Sequence, residues 1–92
     1  MIFANTDPYF LEIQNGSTYL VTSNKGDVVI EKQLEDGLFY EVEGSPVADG
    51  EERYMKTISF LENPDTIRKN PYVRVTPSAA GVIFHAKPVT NR

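Results

Sequence analysis

The sequence predicts an all-β domain. Three observations carry that expectation: Val, Ile, Tyr, Phe and Thr recur in short runs; Gly, Pro, Asn and Asp separate the runs; and no segment sustains an apolar period of about 3.6 residues. At 92 residues the chain has interior enough for one core only. The absence of cysteine excludes a disulfide framework and a thiolate metal site, so packing and backbone ladders, with or without contacts between copies, must hold the domain together. Runs this short, at this spacing, make a sandwich or a small barrel.

Residues 1–8 hold Ile2 and Phe3 but no alternation, and Pro8 cannot donate to a sheet interior, so an extended N-terminal arm is expected ahead of a β domain over residues 9–92. Three outcomes stay open for the arm: its apolar groups pack on their own domain, they reach a neighbour, or the segment frays. The first strand is expected over Tyr9 to Ile13, an Asn15-Gly16 turn follows, and the second strand covers Ser17 to Ser23. The third and fourth, Asp27 to Leu34 and Leu38 to Glu43, form a hairpin.

Side chains set the register of that hairpin. With Glu35-Asp36-Gly37 as a three-residue loop and Gly37 left-handed, Leu34 meets Leu38, Lys32 meets Tyr40 and Ile30 meets Val42. Most large apolar groups then share a face, Val29 and Phe39 excepted, and Lys32 is expected to lay its stem along Tyr40 and lift its ammonium out. The same register opposes Glu31 to Glu41, at a cost of about 0.2–1 kcal/mol. A two-residue Asp-Gly turn would relieve that repulsion, but it would set Ile30 against Glu43, and burial of several apolar groups outweighs one exposed repulsion.

The fifth strand is expected over Arg53 to Leu61, where neither alternate set is purely polar. "LENPDTIRKNPY" then breaks the pattern as a long surface connection, with room for a helical turn opening at Pro64. Tyr72 to Thr76 and Val82 to Lys87 complete seven strands.

Net charge is −4, against nonspecific binding to nucleic acid. Between Glu35 and Glu52 there are seven acids and no base, and from Thr66 to Arg92 five bases and no acid. These are either two solvated faces or complementary surfaces that steer copies head to tail. No basic, apolar leader opens the sequence and no apolar run is long enough to span a bilayer, so a soluble, unsecreted chain with no membrane partner is expected.

His85 is the one histidine, and alternation points it outward beside Lys87 with no activated nucleophile for company. The paired carboxylates of "EDG", "EVE" and "DGEE" lack the ligand spacing of a calcium loop and read as a solvated acidic edge. Tyr40, Tyr54 and Tyr72 fall inside strands, where core or half-buried roles are expected. No catalytic residue, metal or cofactor is predicted.

The order of pieces carries one further reading. Val28 and Ile30 precede the Asp36-Gly37 turn; Phe39, Tyr40 and Val42 follow it; a loop near Asp49, a strand from Tyr54 to Phe60 and "YVRVTPSAAGVIFHA" from Tyr72 come after. This succession resembles the small β-sandwich accessory proteins and modules of tailed-phage virions, over roughly Ser17 to Ala86. It departs where such modules often carry tryptophan after the turn and Ser or Asn before the Asp, positions held here by Phe39 or Tyr40 and by Glu35.

The resemblance implies a single immunoglobulin-like antiparallel sandwich of about seven strands that decorates a capsid or sits in a tail. The expected role is a noncatalytic capsid decoration (cement) protein, made in the host cytoplasm, that self-associates as a trimer on the major capsid protein or binds another virion protein. Its partner-binding residues would be Ile2 and Phe3 in the arm, Arg68, Lys69 and Arg74 as rim cations, and Glu41 and Glu43 on the acidic edge. The rivals are a tail-associated glycan-binding module, marked by clustered exposed tyrosines, and an acidic inhibitor of a host nucleic-acid-binding protein.

Overall fold

A computed structural model describes residues 1–14, 17–56 and 70–89. Its strands are β1 (Tyr9–Glu12), β2 (Thr18–Asn24), β3 (Val28–Gln33), β4 (Phe39–Glu41), β5 (Glu52–Lys56), β6 (Tyr72–Pro77) and β7 (Ile83–Val89). They form two antiparallel sheets, ordered β1-β6-β3-β4 and β5-β2-β7, so the domain is a β-sandwich. The Asn15-Gly16 turn, the end of the fifth predicted strand and the connection containing Pro64 lie outside the described residues.

The inner faces follow the period of two. In β3, Val28, Ile30 and Lys32 turn inward while Val29, Glu31 and Gln33 turn out; in β6, Val73, Val75 and Pro77 alternate with Tyr72, Arg74 and Thr76. Tyr19, Val21 and Ser23 of β2 face them from the other sheet, with Met55 of β5 and Phe84 of β7. The core joins these to Phe3, Ile13, Val42, Val47 and Val82.

The central pairings, second strand with fifth and third with sixth, are those of an immunoglobulin-like sandwich. In the usual arrangement the first strand flanks the second and the seventh flanks the sixth. Here the two are exchanged: β1 lies on β6, and β7 lies on β2.

The hairpin register is the one the three-residue loop predicts. Gly37 has φ 84°, Leu34 N–H donates to the Leu38 carbonyl at 3.0 Å, Lys32 lies opposite Tyr40, and Val42 N–H donates to the Ile30 carbonyl at 3.0 Å. Glu31 does lie opposite Glu41, but each carboxylate has another partner. Arg74, directly across from Glu31 on β6, donates to it from Nε at 3.2 Å and from the terminal guanidinium nitrogen at 3.0 Å, while Glu41 accepts from Ser45 Oγ at 3.0 Å.

After Val42 the chain leaves the ladder for four residues and rejoins β3 where Val28 and Val47 exchange backbone bonds of 3.0 and 2.9 Å. The excursion would strand the Ile30 N–H, which donates instead to Ser45 Oγ at 2.9 Å. Ser45→Ala is therefore expected to destabilise the domain by about 1–2 kcal/mol, read as a lower urea midpoint at unchanged slope.

Three expectations are corrected. Lys32 does not lift its ammonium out: the residue is 1% exposed and Nζ donates to the Gln33 carbonyl at 3.2 Å, because it stands in the inner row of β3 behind Ile30. Leu38 does not share the buried face: it stands at the hairpin tip ahead of β4, where its side chain is exposed. Tyr40, Tyr54 and Tyr72 are all exposed, Tyr54 most of all at 72%, because β5 is an edge strand and Tyr54 points away from the core. Tyr19 is the buried tyrosine among the described residues, its hydroxyl accepting from Gln14 N–H at 3.0 Å.

Candidate interaction surfaces

The arm is where structure and expectation meet first. Residues 1–3 lie along the free side of β7: Met1 N donates to the Phe84 carbonyl at 2.8 Å, Phe84 N–H to Met1 at 2.9 Å, Phe3 N–H to Val82 at 2.9 Å and Gly81 N–H to Phe3 at 2.7 Å. Ile2 sits opposite Ile83, so this segment extends the three-stranded sheet. The side chains then part by the strand period: Ile2 turns out, 68% exposed, and Phe3 turns in, 4% exposed, its ring 6.4 Å from that of Phe84. Of the three outcomes left open, the arm packs on its own domain. Phe3 as a partner-binding residue is corrected accordingly, because its side chain is committed to the core; Ile2 remains presentable.

The outer face of the four-stranded sheet centres on Arg74. Its guanidinium holds Glu31 and lies over the Phe39 ring, 3.7 Å from ring centre to Cζ, which ties β6, β3 and β4 together across the surface. Phe10, the neighbour of Arg74 on β1, is 52% exposed, and Glu41 closes the row on the far side. Beside the row lies an open hollow of about 590 Å³, walled by Pro8, Val29, Pro46, Arg74 and Thr76. Arg74→Ala should cost about 1–2 kcal/mol by removing the ion pair and the ring contact and leaving Glu31 to face Glu41, a loss that thermal melts would read as a drop of several degrees.

The residues predicted to bind partners are thus dispersed. Arg74 and Glu41 share one outer face, Ile2 stands at the far edge of the opposite sheet, and Glu43 lies exposed in the excursion after β4. Arg68 and Lys69 lie outside the described residues. The features missed were the inward turn of Phe3 and the Arg74–Phe39 contact. A single signal points to the latter: Phe39 is, with Val29, one of the two large apolar residues on the polar side of the hairpin.

The acids of residues 35–52 are partly engaged. Asp36 is held below the usual carboxylate range by the Tyr40 hydroxyl and then by the Leu38 N–H. Glu51 is lowered by the Ala48 N–H at 2.9 Å and by Arg53, whose guanidinium donates to both its oxygens at 3.0 Å. Exposed tyrosines occupy different faces, with Tyr54 on one sheet and Tyr72 on the other. His85 is exposed on β7 opposite Thr22, and the nearby hollow of about 190 Å³ is walled by Met1, Tyr9, Leu11, Phe84 and Ala86 without a carboxylate. Among the described residues there is no group of three or more His, Cys, Asp or Glu placed to hold a metal ion, and no helix long and apolar enough to cross a membrane.

The fold therefore defines a class, the small antiparallel β-sandwich with a strand-like N-terminal segment. Comparison with protein-family models finds no match, and comparison with curated proteins and with solved structures finds none either.

Proposed function

We propose that this chain is a noncatalytic assembly module, an accessory structural protein of a tailed-phage virion that works as a capsid decoration protein. The virion assignment rests on the succession of hairpin, aromatic pair and Tyr-x-Arg-Val strand described above. The observation supporting an assembly role is that both sheets turn large apolar side chains outward among charges: Phe10 and Tyr72 around the Arg74–Glu31 pair on one, Ile2 and Tyr54 on the other. Such surfaces suit contact with other proteins. The dispersal of the exposed tyrosines favours this reading over a glycan platform.

Quantitative mass spectrometry of purified particles tests the role. Copies on the order of hundreds per particle are expected of a shell protein with symmetric sites. A handful per particle would move the protein to the tail, and its absence from particles would overturn the virion reading.

A further inference from the structure

We infer that the exposed edge of β5 docks a second copy of this chain, the two β5 strands running antiparallel about a two-fold axis at Tyr54. The three-stranded sheet has two edges. Residues 1–3 cover the β7 side, whereas β5 pairs with β2 alone among the described residues. An uncovered edge presents unpaired backbone donors and acceptors, which natural sheets either shield or use.

Backbone phase limits the registers available. The Glu51 carbonyl accepts from Ser23 N–H of β2 at 3.3 Å. Alternation then turns the amides and carbonyls of Arg53 and Met55 toward β2 and those of Glu52, Tyr54 and Lys56 toward the open side. An antiparallel partner must set its own outward-turned residues against these three. A two-fold axis at Tyr54 does so over the whole strand: Tyr54 meets Tyr54, and Glu52 meets Lys56 of the second copy twice. A slip of one residue would oppose outward-turned groups to inward-turned ones. A slip of two shortens the overlap and sets Glu52 against Tyr54.

Side-chain charge selects the same register independently. Glu52, Tyr54 and Lys56 all project from the outer face and all are exposed, and among the described residues neither Glu52 nor Lys56 is in an ion pair. In the symmetric pairing the two carboxylates neutralise the two ammonium groups on either side of a tyrosine pair. The product is a continuous six-stranded sheet ordered β7-β2-β5-β5-β2-β7. Such a contact is self-complementary and closes at two copies, so a trimer would have to use a different, head-to-tail surface. The inference deepens the assembly reading and rests on it for its purpose, yet it can fail separately: solution association reports the contact, and particle composition reports the role.

Sedimentation equilibrium of the whole chain and three variants provides the test. The wild type is expected to form dimers by about 100 μM. Glu52→Lys alone and Lys56→Glu alone each set like charges opposite one another twice, and each should raise the dimer dissociation constant roughly tenfold or more. The double variant E52K/K56E restores opposite charges in the same register and should return the constant to within about threefold of wild type. Both positions are exposed, so circular dichroism should report the same fold in all four proteins. A chain still monomeric at about 1 mM would overturn the inference. So would single variants that associate as tightly as wild type, or a double variant as weak as the singles.

Discussion

Phe3→Ala is expected to lower the stability of the domain by about 3–5 kcal/mol, the usual cost of removing a buried aromatic ring and leaving a cavity. A domain of 92 residues has roughly 5–14 kcal/mol of stability in total, so this single change takes a large share of it. The ring is 4% exposed and meets Phe84, which is itself 2% exposed between the sheets. Deleting residues 1–3 should cost at least as much, because the backbone bonds from Gly81 to Phe3 and between Phe84 and Met1 disappear with the ring. Ile2→Ser is the matched control: the side chain is 68% exposed, so its loss should shift the stability by less than about 1 kcal/mol. Urea unfolding followed by circular dichroism distinguishes the two. A Phe3→Ala protein as stable as wild type would mean that the segment does not pack as described and is free to reach a neighbour.

Lys32→Met is expected to stabilise the domain by about 1–3 kcal/mol at neutral pH, contrary to the usual effect of a core substitution. The lysine occupies the inner row of β3, is 1% exposed, and offers its ammonium a single carbonyl, that of Gln33, among the described residues. Burial disfavours the charged form and so pulls its pKa below the ordinary 10.5. The unfolded chain therefore holds the proton more tightly than the folded one. Stability must rise with pH from the lowered folded value up to 10.5, and the cost is present in full below that window. Methionine keeps the length of the stem without the charge. The difference in unfolding free energy between the two proteins should accordingly shrink as pH climbs through the window, whatever the tyrosines contribute to both. A variant less stable than wild type at pH 7 would show instead that the Gln33 contact more than offsets the desolvation.

Much of the fold was legible because two local codes are strong. Alternation and turn chemistry together located seven strands near their observed positions, and in the hairpin they fixed the register to the residue, down to the left-handed Gly37 and the opposed Glu31 and Glu41. The candidate surfaces were much less legible. Arg74 and Glu41 lie on one face only because β6 adds to β3 on the side opposite β4, a pairing between segments more than 40 residues apart that no local pattern specifies.

By itself, then, the sequence determined the all-β class, the strand positions and the hairpin geometry, since each depends on side chains a few residues apart along one strand or turn. Only the tertiary structure decided that residues 1–3 close the β7 edge, that Phe3 faces in while Ile2 faces out, that Lys32 is buried, and that β5, among the described residues, has no neighbour at the sheet's other edge. Those outcomes depend on which distant strand lies alongside, and backbone hydrogen bonds, being alike at every residue, carry no sequence label to announce it.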